Sequence, residues 1–382
     1  MTIRATIAEF NPFHNGHKHL VDLMKEGGNA TVAIMSGNFV QRGSCSVYDK
    51  FTRAKVAVQC GVDLVLELPL IYSLSSAEYF ARGSVDTLTA LGVVDELWFG
   101  SEAEKLEGLN ALAELLLNEP DEFKAVLDEN LRAGKGFAPS RKLAAQAVVG
   151  EIAELLDEPN NILGIEYLKA IKRIGSNIIP VTVPRAQVGH DSDERGESIA
   201  SARSLRESMK SGENIDSYVP YPPIFEPVFS KRFDQLVSYR LKMADVEELM
   251  QLPDCNEEIA QRLRRASGEN TIEAIIKAAH TRSYADSRLR RILFNLVLNN
   301  KNKEYLAPTY IRVLAFSRKG AEILRLADGK AVLPIASRAG AIKNDEIFKI
   351  ECRGTDIYNL VIGRLGGEEF MYVPAMPGGW EE

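Results

Sequence analysis

Short apolar runs alternate with amphipathic stretches through the first two hundred residues, separated by turns rich in Gly, Pro and Asn. Residues 3–8, 30–35, 64–68, 96–99 and 178–183 are apolar enough for buried strands. Residues 17–25, 49–60, 75–91, 165–174 and 198–211 carry apolar positions at helical spacing, several of them stopped by glycine. Strands alternating with helices through short turns predict a parallel sheet with right-handed crossovers, a Rossmann-like α/β domain. Ligands of such sheets bind at the carboxyl ends of the strands, so the polar turns after the first, second and fourth strands are expected on one edge.

The pattern changes at residues 106–156, which are rich in Ala, Leu and Glu and read as a helical insertion spanning about 105–158. Pro159-Asn160-Asn161 is expected to break the helix before 165–174 resumes it. Residues 185–197, polar and Gly-containing, read as a mobile loop. Tyr221-Pro222-Pro223 marks the expected boundary between a domain of residues 1–222 and a mainly helical C-terminal domain of 223–382 with a mixed tail.

Composition narrows the class. Hydrophobic residues make up 45% and charged residues 26%, ordinary for a globular protein. No apolar run approaches the roughly 20 residues of a membrane span, and no basic leader with a cleavage site precedes the first strand. Cys45, Cys60, Cys255 and Cys352 are scattered without a CxxC pair, which argues against a zinc site or disulfide framework and fits a reducing cytoplasm. The net charge of -7 weighs against a wholly basic nucleic-acid binder but leaves room for a local basic patch.

The candidate chemistry starts in the first turn, ATIAEFNPFHNGHKHL (5–20), where Asn11, Pro12, His14, Gly16 and His17 crowd between strand and helix. Backbone N–H groups and a helix N-terminus there can face an anion, and two imidazoles can donate to phosphoryl oxygens. Gly100 and Ser101 close the fourth strand, where a glycine lets a nucleotide approach the backbone or simply ends the strand. Asn160 or Asn161 can cap a helix or touch a nucleotide. Arg185 follows the fifth strand, and Ser201 and Arg206 lie in ASARSLR at a helix start. Asp63, Glu67 and Glu9 could assist a metal, though surface carboxylates are far commoner than ligands. The chain has no GxxxxGK[ST] and no GxGxxG in its first turn.

The H-x-G-H spacing resembles the signature of the nucleotidyltransferase superfamily, and ASARSLR is similar to its second signature, ISSTxIR, with Ala202 and Arg203 at two serine-type positions. The longer phrase EFNPFHNGH, with FVQRG, WFGSE, PNNILG and SIASARSLR, resembles the bacterial tRNA(Met) cytidine acetate ligases over most of the chain. That resemblance implies acetate activation with ATP to acetyl-adenylate and acetyl transfer to N4 of the wobble cytidine of elongator tRNA(Met). It implies His14, His17, Ser201 and Arg206 as the catalytic donors. For ATP it implies the segment Ile7, Ala8, Glu9, Phe10, Asn11, Pro12, Phe13, His14, Asn15, Gly16, His17, Lys18, His19 and Leu20, with Gly100, Asn160 or Asn161, and Arg185. Mg²⁺ is expected with ATP, without a nameable protein ligand. Arg282, Arg288, Arg290 and Arg291, with Tyr284 beside them, form the most basic cluster and the expected contact to an anticodon loop. A nucleotidyltransferase acting on a small phosphate ester or mononucleotide, and a binding protein without turnover, are the alternatives.

Overall fold

The computed structural model describes residues 1–102, 106–184, 199–224 and 226–377. Its first half runs β1 (Ile3–Ala8), α1 (Asn15–Lys25), β2 (Ala30–Ser36), the hairpin β3 (Phe39–Val40) and β4 (Ser44–Cys45), α2 (Lys50–Gln59), β5 (Leu64–Leu68), α3 (Leu70–Ser73), α4 (Ala77–Ala90) and β6 (Glu96–Ser101). The helical insertion follows as α5 (Leu106–Leu117), α6 (Asp121–Arg132) and α7 (Phe137–Val149), and α8 (Pro159–Ile174), β7 (Ile179–Pro184) and α9 (Ala202–Ser211) close the α/β part. The remainder contains α10 (Asp234–Met243), α11 (Val246–Met250), α12 (Glu257–Arg265), α13 (Ile272–Ala279), α14 (Asp286–Val297), β8 (Ile311–Phe316), α15 (Arg318–Ala327), β9 (Ile335–Ala336), α16 (Glu346–Val361) and α17 (Glu368–Met371).

Among the described residues the main sheet has seven strands in the order β7-β6-β1-β2-β5-β8-β9. β1 and β2 pair in parallel from Ile3↔Ala30 to Ala8↔Met35, and β6 and β7 from Glu96↔Ile179 to Ser101↔Pro184. The chain moves outward from β1 through β2 to β5, then returns to the other side of β1 for β6 and β7. The strand order therefore reverses between β1 and β6, and that reversal opens the crevice where ligands bind in doubly wound sheets.

Several boundaries differ from the sequence expectation for local reasons. α1 begins at Asn15 rather than at residue 17 because His14 caps it. Pro159-Asn160-Asn161 starts α8 instead of breaking it: proline at the first helical position loses no hydrogen bond, so the break lies before it. The helix expected at 198–211 starts at Ala202, capped by Ser201.

The larger difference concerns the mixed tail. β8 pairs antiparallel with β5 (Leu64↔Phe316), and Tyr310, Ile311, Val313 and Phe348 share one core with β1, β2 and β5. β5 is buried along its whole length, so an open edge there would be an unpaired apolar strand; β8 covers it. The sheet thus crosses the position expected as a domain boundary. The intervening helices form a second core with Phe39, Leu70 and Leu74. Gly43, at φ +73°, lets the β3–β4 turn press onto α14: a Cβ there would stand 2.5 Å from Arg290 Cβ and 2.6 Å from the Arg291 nitrogen. A buried ion cluster adds a further tie. The Lys50 ammonium meets Glu351 at 2.8 Å and also contacts Glu67 and Glu369, joining α2, β5, α16 and α17.

Candidate active site

The turn after β1 becomes a device for aiming two imidazoles. The Gly16 N–H donates to His14 Nδ1 at 3.1 Å, and the His14 N–H donates to His17 Nδ1 at 3.2 Å, a reciprocal cap on α1. A ring nitrogen that accepts from a backbone N–H carries no proton, so each neutral imidazole holds its hydrogen on Nε2. The rings stack at 3.8 Å, and Phe10 and Phe13 pack against His17 at 5.0 and 5.5 Å. Gly16 is required by this arrangement: a Cβ there would lie 2.9 Å from His14 Cε1.

A buried guanidinium holds the surrounding loops. Arg53 donates to the carbonyls of Glu9 at 2.5 Å, Ser36 at 3.0 Å and Tyr48 at 2.9 Å, and also to Gly37. One side chain thereby fixes the loops after β1 and β2 to α2, and burial pulls it down to about 10, still protonated at neutral pH.

These turns line a cleft of about 710 Å³ over the β1/β6 reversal. Of the expected nucleotide segment, Ile7, Ala8, Glu9, Phe10, Asn11, His14, Gly16, His17, His19 and Leu20 line it. Pro12 and Phe13 are buried behind the turn. Asn15 donates to the Ser217 carbonyl at 2.9 Å, and Lys18 pairs with Asp22 at 2.5 Å. Ser201 and Arg206 reach the same cleft from α9. The Ser201 hydroxyl accepts from the Ser204 N–H at 3.1 Å, so it is the N-cap and keeps its own O–H to donate. Arg206 donates to the Asn11 carbonyl at 2.6 Å, which ties the two halves of the site together. Burial lowers the Arg206 guanidinium below its usual range, Glu9 opposes that, and Arg42 and Arg203 push it further down. Three guanidiniums thus stand near one another on the cleft lining, with Glu9 among them.

Gly100 lies on the opposite wall, paired with Val183. Asn160 lines the cleft, and Asn161 sits behind it, accepting from the Ser101 hydroxyl at 2.7 Å and the Glu102 N–H at 3.1 Å. The Glu102 carboxylate accepts from the Asn160 side chain and from the Asn161 N–H at the start of α8. Arg185 lies outside the described residues, as does the loop expected at 185–197. Arg42 and Arg203 were not singled out from the sequence as site residues; the FVQRG and ASARSLR segments held the signal.

The basic cluster is dispersed. Arg290 forms a two-pronged pair with Glu273 at 2.7 and 2.6 Å, and Arg291 is buried against Asp254 at 2.9 and 3.0 Å. Arg288 donates to the Asp254 carbonyl at 2.8 Å and lies 5.1 Å from the Tyr284 ring. Arg282 is exposed, in the turn that leads into Ala285 and Ser287 on the cleft rim. Sequence spacing counts charges, whereas partners from other segments decide which charges face solvent.

The carboxylates considered for a metal have other roles. Asp63 accepts from the Thr31 N–H at 3.0 Å and the Ser317 hydroxyl at 2.9 Å. Glu67, Glu351 and Glu369 are the group among the described residues with metal-like spacing, and Lys50 fills its centre. Among the described residues Glu9 is the one carboxylate of the cleft lining, and it accepts from the Gln41 N–H at 2.9 Å.

The HIGH nucleotidyl transferase family model matches residues 1–369. A tRNA(Met) cytidine acetate ligase of Thermoanaerobacter sp. (strain X514) is 38% identical over 97% of this chain and 99% of its own. One from Caldanaerobacter subterraneus subsp. tengcongensis is 40% identical over 93% and 94%. The crystal structure of Thermotoga maritima TmcAL bound with alpha-thio ATP superposes with a TM-score of 0.89 at 30% identity, covering 98% of this chain and 99% of that one.

Proposed function

The chain belongs to the HIGH nucleotidyl transferase family and, within it, to the tRNA(Met) cytidine acetate ligases, and from that premise we propose how its own cleft performs ATP-dependent acetate ligation. An acetate oxygen attacks the α-phosphorus of ATP, the bond to the β-phosphate oxygen breaks, and acetyl-adenylate and pyrophosphate form. The amino nitrogen N4 of the wobble cytidine of elongator tRNA(Met) then attacks the acetyl carbon. The acyl–phosphate bond breaks, AMP leaves, and N4 loses one proton.

One observation carries the reading: two Nε2 donors are held against each other beside Arg42, Arg203 and Arg206 at the strand-order reversal. Charge builds on the α-phosphoryl oxygens and the departing pyrophosphate, and fixed donors at that point stabilise it without reorganisation. Nucleotide on the β6/β7 side would meet Gly100 and Asn160. Among the described residues Glu9 is the one carboxylate of the lining; Mg²⁺ would enter as part of the ATP complex, and no step here depends on a protein ligand to it. The rim turn with Arg282 and Tyr284, in the mainly helical 223–382 part, would take the anticodon loop. The four free cysteines support a reducing cytoplasm, and no helix of the described residues is long and apolar enough to cross a membrane.

The test is pyrophosphate release from ATP with acetate, with and without tRNA, followed by mass analysis of the tRNA nucleosides. Acetate-dependent release with N4-acetylcytidine in the product is expected. Release that ignores acetate, or nucleosides without acetyl, would refute the proposal.

A further inference from the structure

The cleft continues past the phosphate-facing residues into an apolar end between α4 and α8. Asn160, Leu163 and Tyr167 all line it from one face of α8, and Tyr167 lies seven residues, about 10 Å, below the Asn160 level. Phe80 from α4 and Phe99 from β6 complete the walls, at 3% and 4% exposure. The Phe99 ring meets Tyr167 edge-on at 5.5 Å and lies on α8 itself: a Cβ on Gly164 would stand 2.7 Å from Phe99 Cε2. Both rings belong to the main core, so these walls cannot yield without repacking it.

Tyr167 is 4% exposed, and its hydroxyl finds no hydrogen-bond partner among the described residues, although Tyr167 lines the cleft. The hydroxyl is thus open to the cleft, where an acceptor brought by a ligand would take its hydrogen bond.

Resting on the adenylation reading above, we propose that this end is the acyl pocket: the Tyr167 hydroxyl donates to one oxygen of the carboxylic acid, and Phe80 and Phe99 confine its alkyl group to the size of a methyl. The second carboxylate oxygen is then left to attack phosphorus. A purine fits this end less well. Its edge carries several donors and acceptors, whereas Phe80, Leu163 and Phe99 offer carbon surface and Tyr167 a single hydroxyl, which burial and the Glu9 charge keep protonated, and the strand ends at Gly100 and Val183 offer backbone groups of both kinds. A methyl group with a carboxylate matches one donor in an apolar wall.

The experiment is ATP–pyrophosphate exchange driven by acetate, propionate or butyrate, together with ATP affinity and thermal unfolding. Tyr167→Phe is expected to raise the KM for acetate about tenfold to a hundredfold, the loss of a hydrogen bond to a charged group. Its ATP affinity and unfolding midpoint should stay at wild-type values, because the hydroxyl has no partner among the described residues to lose. Phe80→Leu is expected to raise the propionate-to-acetate ratio of kcat/KM about tenfold or more, the scale of one methylene in an apolar pocket. An unchanged acetate KM in Tyr167→Phe overturns the assignment. A loss of ATP affinity in that variant also overturns it and gives the pocket to the base. A lowered midpoint with unchanged KM makes Tyr167 structural. Wild-type exchange with no acid at all would overturn the adenylation reading and this pocket with it; exchange by the wild type with unaltered variants overturns the pocket alone.

Discussion

Gly16→Ala is the sharpest probe of the histidine pair. The new Cβ would stand 2.9 Å from His14 Cε1, closer than real Cβ contacts come, and a tight 3.1 Å from Nδ1. The ring cannot recede toward its partner, because it already stacks on His17 at 3.8 Å. It must rotate and release the Gly16 N–H, and the reciprocal bond to His17 weakens with it. Losing a cap bond costs about 0.5–2 kcal/mol. Alanine's better helix propensity returns up to ~1 kcal/mol at this position. The net stability change is therefore small, about 0–2 kcal/mol, a melting shift of a few degrees at most. The effect on rate is of another order, since a misaimed transition-state donor costs about 10²–10³ in kcat. Acetate-dependent pyrophosphate release and thermal unfolding, measured on the same preparation, separate the two. Gly268→Ala, with nothing within 4 Å of its Cβ, is the control and should change neither. A folded Gly16→Ala protein that keeps its rate within about threefold, well short of that loss, would refute the claim that the capped rings are the donors.

The dispersed arginines should behave differently from one another. Arg291→Ala strands the Asp254 carboxylate and should cost about 2–4 kcal/mol in denaturant unfolding. Arg282→Ala should leave stability unchanged while weakening tRNA binding and reducing the salt slope by about one unit. Arg53→Met removes the shared donor of four loop carbonyls and should destabilise by about 3 kcal/mol or more and lower activity, read by unfolding and exchange assays. In the Lys50 cluster, burial first and then Glu351 raise the Glu67 carboxyl well above its ordinary value. The folded state then holds a proton that the unfolded state gives up above about pH 4.3. Stability from this group is thus lost as pH rises through and beyond the unfolded value. Glu67→Gln, which keeps the neutral form, should gain on wild type between pH 5 and 8 by at most about 1.4 kcal/mol per unit. Parallel unfolding curves at the two pH values would contradict it.

Much of the site was readable because it is local. The strand-turn-helix EFNPFHNGH carries its caps, its glycine and its rings within a few residues, so spacing predicts their proximity. The same holds for Ser201, which caps the helix that its own segment opens. The choice between Asn160 and Asn161 was not readable, since both open α8 and both amides bond the end of β6, Asn161 to Ser101 and the Glu102 N–H and Asn160 to the Glu102 carboxylate, while only Asn160 lines the cleft. Nor was the role of Arg53, whose carbonyl partners come from loops as far as 44 residues away.

The sequence by itself determined the alternation of β1, α1, β2, α2, β5, α4, β6, α8 and β7 and the capped starts of α1 and α9, because hydrophobic periodicity and capping act within a turn or two of chain. Only the tertiary structure decided that residues 311–316 would cover β5, that Arg290 would pair with Glu273 at the surface and that Arg291 would be buried against Asp254. The same applies to the Tyr167 hydroxyl, which has no hydrogen-bond partner among the described residues of the cleft it lines. Each of those outcomes depends on which distant group supplies the missing strand edge, counter-charge or acceptor, and chain spacing carries no record of that partner.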